Sequence, residues 1–268
     1  MEYISPINFP AYFGQPFPQT AEEIKRLKKK VLAEFELENA DFIIIHKKEY
    51  DKNTCIVLIE QMANQENLAI HETIFSHKAL LEFLESGKAS EELVIRGDIR
   101  KDKKLWEFVA PYFTYRFGKF LDNSFDKKTF ANVKQVLYCI YFLPDEHMDW
   151  CLQKIVSYLN SLSSSFTSAF SHSMSEAQIN EVADQDFISR LDQLRATLKP
   201  LKTKLAEAYI DFIVKANAAD KTIKTTRRAL ENLEIIGRLK TEGLIRLERS
   251  KEILKERLYH VYIKIGLY

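Results

Sequence analysis

The stretch FISRLDQLRATLKPLKTKLAEAYIDF, residues Phe187 to Phe212, decides how the chain is read. Phe187, Leu191, Leu194, Leu198, Leu201, Leu205, Ala208 and Phe212 alternate at spacings of four and three, the seam of a helix that lays one apolar stripe against a neighbour. A second run, Leu230, Leu233, Gly237, Lys240, Leu244, Leu247, Lys251, Leu254, Leu258, Val261 and Ile265, keeps the same alternation, interrupted by two lysines and a glycine. NAAD, Asn217 to Asp220, reads as the turn between them. Together they predict a C-terminal hairpin of long helices, or a coiled-coil-like bundle, over residues 177–268. At 1.5 Å per residue the first helix would be about 45 Å long, and the second longer unless Gly243 breaks it. Pro200 opposes a straight rod, because it lacks a donor and clashes with the carbonyl four residues back, so a kink or break is expected near Thr197.

The rest of the chain agrees with a predominantly helical, all-α class. Seven glycines and seven prolines in 268 residues leave too few turn signals for an all-β fold, and 46% hydrophobic content is enough for a real core. Four prolines among the first eighteen residues predict an extended, docked N-terminal arm. TAEEIKRLKKKVLAEFEL then starts a helix, with Thr20 as N-cap and Glu23 closing a capping box ahead of the stripe Ile24, Leu27, Val31, Leu32, Phe35. Phe42 to Ile45 suits a short strand, and Asn53 is placed to cap a helix from Thr54 to Met62. Helical patterns follow at Leu68–Phe83, closed by Ser86–Lys88, and at Leu105–Phe120, Lys127–Phe142 and Pro144–Leu162. Within the third of these, Tyr138–Pro144 is apolar on all sides and reads as buried core. These patterns predict a helical globule over 1–160 with one small strand or hairpin, joined to the C-terminal helices by the serine-rich segment 161–176.

Composition narrows the function classes. With 39 bases against 38 acids the net charge is +1, so no global field steers the chain toward nucleic acid or an anionic membrane. Cys55, Cys139 and Cys151 are odd in number and lack CxxC spacing, so neither a disulfide framework nor a structural zinc pattern is present. With no apolar run of membrane length and no basic-then-apolar leader in the sequence, the expected location is cytoplasmic. None of GxxxxGK[ST], GxGxxG or GxSxG occurs, which removes the nucleotide-binding loops and the hydrolase elbow.

Three places attract a chemical reading. LPDEHMDWC, Leu143 to Cys151, gathers carboxylates, His147 and Cys151, which lie four apart on one helix face. Two ligands do not complete a zinc site, and acids behind a proline are what a helix start uses. HETIFSH, His71 to His77, opens like a zincin motif, but six residues set its imidazoles about 120° apart on a helix. His46, His172 and His260 have no partner by spacing. No catalytic, cofactor or metal residue is assigned. From Lys221 to Arg257, eleven bases face six glutamates; Lys221, Lys224, Arg227, Arg228 and Arg238 are the candidates for phosphate contacts, although interleaved acids also suit a solvated helix flank.

The reading that follows is a non-enzymatic scaffold or adaptor that binds a protein partner or itself through helical surfaces. Its candidate seam is Leu191, Leu194, Leu198, Leu201 and Leu205 with Leu244, Leu247, Leu254 and Leu258. A seam closed within the chain satisfies the periodicity as well as one closed between chains. A nucleic-acid-associated protein using the basic C-terminal helices is the second alternative, and an enzyme of unrecognised type near His147 and Cys151 the third.

Overall fold

The computed structural model describes residues 2–38, 41–45, 48–93, 97–127, 129–166, 174–241 and 244–266. The fold is predominantly helical, with a single two-stranded antiparallel sheet among the described residues, and it parts into two compact units, 1–88 and 89–268.

In the first unit the order is α1 (Phe9–Tyr12), α2 (Ala21–Glu38), β1 (Phe42–Ile45), β2 (Lys48–Asp51), α3 (Lys52–Ala63), α4 (Gln65–Ser76) and α5 (Lys78–Ser86). The capping box forms as the sequence requires: Glu23 N donates to Thr20 Oγ1 at 3.2 Å and Thr20 N to Glu23 Oε2 at 3.1 Å. The Gln19 amide, which donates to Glu23 Oε2 at 2.7 Å, followed by that of Thr20, holds the Glu23 carboxyl below its ordinary range. Phe42 pairs with Asp51 and Ile45 with Lys48, so Ile43 and Ile45 point into the core while Phe42 and Ile44 face outward. The core joins Leu27, Val31 and Phe35 of α2 to Cys55, Leu58, Ile59 and Met62 of α3. The N-terminal arm is docked as expected, but it is not extended throughout, because Phe9–Tyr12 forms the single helical turn α1 with Pro10 in its first turn. Tyr3 is buried with a 2.8 Å hydrogen bond between its hydroxyl and His71 Nδ1, Ser5 N donates to Glu85 Oε1 at 3.1 Å, and Phe9 and Phe13 enter the core.

The second unit holds α6 (Lys103–Lys127), α7 (Val133–Cys139), α8 (Asp145–Ser165), α9 (Glu176–Val182), α10 (Gln185–Arg190), α11 (Lys199–Ala219), α12 (Ile223–Arg238) and α13 (Ile245–Gly266). Helix α8 packs on α6 and, most extensively, on α11; α11 in turn meets α12 and α13, and α10 packs on α7 and α12. The connections are held by the hydroxyls of one buried and two half-buried tyrosines. Tyr138 Oη donates to Asp184 Oδ1 at 2.7 Å, Tyr141 Oη to Phe187 O at 3.2 Å, and Tyr209 Oη to Val182 O at 3.3 Å.

Several expectations change at this level. The seam over Phe187–Phe212 is not one helix. Helix α10 stops at Arg190, two 3-10 turns follow at Leu191–Gln193 and Ala196–Leu198, and α11 restarts at Lys199. Pro200 is the cause: in its first-turn position the missing N–H removes no bond, whereas inside a continuous helix it would clash with the Ala196 carbonyl. The second run is likewise two helices. Gly237 lies against Leu247 and Lys251, and Arg227 against Tyr262, so α12 and α13 form an antiparallel hairpin. The long-helix pair is therefore realised as three shorter helices, α11 to α13.

The turn expected at Asn217–Asp220 starts later, because α11 runs to Ala219 and Thr222 caps α12. Asp51, not Asn53, caps α3 by accepting from Thr54 N at 2.6 Å. The helix expected over Leu68–Phe83 is divided at His77, and Gly87 closes α5 in the left-handed region at φ 76°. Lys127–Phe142 holds the end of α6, then α7 and a 3-10 turn at Ile140–Phe142. The two units divide at Lys88, whereas the sequence suggests a division at 161–176; helices on both sides of that segment, α8 and α11, pack together inside the second unit. Within the segment, α8 extends to Ser165 and Ser175 caps α9 with a capping box to Gln178, while 167–173 lie outside the described residues. His46, His172 and Gly243 lie outside them too.

Candidate functional site

The leucine seam is core. Leu191, Leu194, Leu198, Leu205, Leu247 and Leu254 are buried by this chain alone, and Leu201, Leu244 and Leu258 are half-buried. Leu205 lies on α11, which spreads its contacts over α8, α12 and α13; Leu247 and Leu254 lie on α13, against α12 and α11. The structure thus brings the predicted set into one folded unit and leaves few of its leucines at the surface.

Two polar clamps fix these helices. Lys202, buried on α11, donates to Asp192 Oδ1 at 2.8 Å and to the Lys240 carbonyl at 2.7 Å, and Lys240 N donates to the same carboxylate oxygen at 3.2 Å. The Lys202 ammonium, followed by the Lys240 amide, holds the Asp192 carboxyl below its ordinary range. Asn217, buried at the end of α11, donates to Thr226 Oγ1 at 2.9 Å and accepts from Arg257 Nη1 at 2.8 Å, joining α11, α12 and α13 at one side chain. Buried polar groups left without partners cost about 1–3 kcal/mol each, so both clamps oppose a shift of α11 away from the segments it bonds.

The basic candidates are largely engaged. Lys224 pairs with Glu176 at 2.9 Å, Arg228 with Glu231 at 3.4 Å, and the Arg227 guanidinium lies 5.7 Å from the centroid of the Tyr262 ring and bonds its hydroxyl. Lys221 and Arg238 are exposed. The cleft around Lys224, Arg227 and Arg228 also carries Glu176 and Glu231, so it offers no concentrated positive field.

LPDEHMDWC is used as a helix start, with Pro144 at the N-cap rather than the first helical position. Asp145 accepts from Thr197 Oγ1 at 2.7 Å and pairs with Arg195, tying α8 to the 3-10 turns before α11. Those two bonds hold its carboxyl below the ordinary range. His147 Nδ1 lies 3.0 Å from Thr114 Oγ1 on α6, and the Trp150 ring covers Gly118. Cys151 is fully buried. Burial pushes its thiol, and those of Cys55 and Cys139, up to about 12, far from the thiolate that nucleophilic or metal chemistry needs. His71 is buried and its pKa lowered to about 4 by desolvation, so it is a neutral core group at physiological pH. Among the described residues no group of three His, Cys, Asp or Glu side chains is placed to hold a metal ion, and no helix is long and apolar enough to cross a membrane.

What the seam reading missed lies at the end of α13. Tyr259, Tyr262, Ile263 and Ile265 are 65%, 43%, 40% and 59% exposed, the densest run of large exposed apolar side chains among the described residues. Burial along the seam face fades from Leu254 through the half-buried Leu258 and Val261 to the exposed Ile265. The signal was in the sequence: LYHVYIKI places apolar residues on every face of the helix, more than one stripe can bury. A search of protein-family models, of curated proteins and of solved structures finds no match to this chain.

Proposed function

We propose that the chain is a non-enzymatic protein-protein interaction module, a scaffold or adaptor, that presents the exposed end of α13 to a protein partner. The observation that carries this reading is the cluster Tyr259, Tyr262, Ile263 and Ile265, exposed at the end of a helix whose buried residues, Leu247, Ser250 and Leu254, all lie nearer its start. Exposed leucines or isoleucines scattered singly are ordinary, but contiguous apolar surface on a helix is characteristic of docking faces, and tyrosine is enriched at interface centres. The residues that an enzyme would draw on support the same reading from the other side: the three thiols are buried and protonated, and His147 is bonded to Thr114.

The test is cross-linking and mass spectrometry on the chain in its native source, with wild type and a Tyr259→Glu/Ile263→Glu variant compared. Protein cross-links that map to residues 255–266 and vanish in the variant are expected. If the material retained by the wild type is nucleic acid, and leaves when Lys224, Arg227 and Arg228 are reversed in charge, the reading is wrong.

A further inference from the structure

On α13 the side opposite the buried Leu247 and Leu254 is a distinct surface. At 100° per residue, Tyr259, Ile263, Glu256, His260 and Lys264 fall within an arc of about 140° centred away from those leucines. All five are exposed. Tyr262 does not belong to this arc; it turns toward α12, where Arg227 lies over its ring. Among the described residues neither Glu256 nor Lys264 takes part in an ion pair, although Lys251 and Glu248 two turns earlier pair at 2.9 Å. Over Glu256–Lys264 the face is thus an apolar centre, Tyr259 and Ile263, with one unpaired acid and one unpaired base at its two ends; the exposed Arg249 and Glu252 continue the same arc toward the start of the helix.

That pattern is self-complementary. We infer that the face binds a second copy of itself, α13 against α13 antiparallel about a two-fold axis beside His260. In that arrangement residue i faces residue 520 − i of the other copy. Lys264 of each chain stands opposite the partner's Glu256, and the Tyr259 and Ile263 side chains of both chains fill the space between the two ion pairs. A parallel pair would set Glu256 beside the partner's Glu256 and Lys264 beside the partner's Lys264, so charge selects the antiparallel form. The contact from Glu256 to Lys264 covers about two and a half turns of helix, roughly 13 Å, too short to bury the roughly 1,200 Å² of a standard interface. So small a contact makes a weak dimer, one that forms where the chain is concentrated. This inference rests on the interaction reading above and names its partner.

Sedimentation equilibrium of the full chain from about 5 to 500 µM in 150 mM salt tests it. The expected result is a weight-average mass rising from one chain toward two. Lys264→Glu and Glu256→Lys each turn two attractions into two repulsions and should weaken the dimer about tenfold. The double variant Glu256→Lys/Lys264→Glu should return it to within about threefold of wild type. Both positions are exposed, and tryptophan fluorescence checks that each variant is folded. A single-chain mass at every concentration overturns the proposal, as does a dimer indifferent to the charge variants or one that the double variant fails to restore. A monomer that pellets with phosphatidylserine vesicles also overturns it, in favour of a lipid surface. A monomer that still yields the α13 cross-links to a different protein refutes self-pairing while leaving the interaction reading intact.

Discussion

Leu254→Ala is the sharpest probe of the second unit. Leu254 is fully buried on α13, which packs on α12 and α11. Truncation to alanine removes three carbons, about 2.4 kcal/mol at about 0.8 kcal/mol per buried methylene, and leaves a cavity whose cost brings the total to about 3–4 kcal/mol. Urea unfolding followed by tryptophan fluorescence is the natural assay, because both tryptophans, Trp106 and Trp150, belong to the second unit and so report on it alone. With a slope of about 2 kcal/mol per molar, the midpoint should fall by about 1.5–2 M. Tyr259→Ala, five residues on but 65% exposed, should stay within about 0.5 kcal/mol of wild type. If Leu254→Ala unfolds with the wild-type midpoint, α13 is not docked as described, and the assignment of its opposite face to the surface fails with it.

Other expected outcomes follow from the same burial and charge. His71 has a folded pKa near 4, below the 6.5 of an exposed imidazole, so between those values the unfolded chain binds the extra proton. Stability of the first unit should fall as pH drops from 6.5 toward 4, by up to about 3 kcal/mol, and a His71 resonance, assigned by its loss in His71→Gln, that titrates near 6.5 in NMR would contradict this. A disulfide reagent at pH 8 should find no reactive thiol in the native chain and three after denaturation, since Cys55, Cys139 and Cys151 are all buried. Reversing the charge of Lys224, Arg227 and Arg228 together should leave any nucleic-acid affinity as weak and nonspecific as that of the wild type. Tight wild-type binding that falls steeply with salt, and becomes shallower in the variant, would point to phosphate contacts.

The elements most legible in the sequence were those set by local chemistry. Thr20 and Glu23 form a capping box whatever the rest of the chain does, and Phe42–Ile45, three of whose four residues are β-branched, becomes a strand. Pro200 announces its break, because its ring clashes in any helix interior. What periodicity does not carry is continuity. The four-three alternation runs through Leu191, Leu194 and Leu198 even though Leu191 and Leu198 sit in two separate 3-10 turns and Leu194 in the extended link between them; all three are buried without sharing a helix. Nor does a seam say what covers it. Only the contacts of α11 with α8 show that the leucines expected to await a partner meet a helix from before residue 161. The candidate surface was legible only by subtraction, as the apolar residues of α13 that remained once the seam had been assigned.

The residues that interrupt the second run carry the structural logic of that region. Gly237 lies directly against α13: a Cβ there would stand 3.0 Å from Lys251 Nζ and 3.4 Å from Leu247 Cδ2. A side chain at that position would require the Lys251 ammonium to move aside. Lys240 contributes its amide and carbonyl, not its side chain, to the clamp with Asp192 and Lys202, which a continuous helix could not do because both groups would be engaged along its own axis. The imperfections in the heptad thus mark the bend that folds one long pattern into a hairpin. Folding it back buries the inner face of α13 on its own chain. The outer face, with Glu256, Tyr259, Ile263 and Lys264, is left as the part of the helix on which another molecule can act.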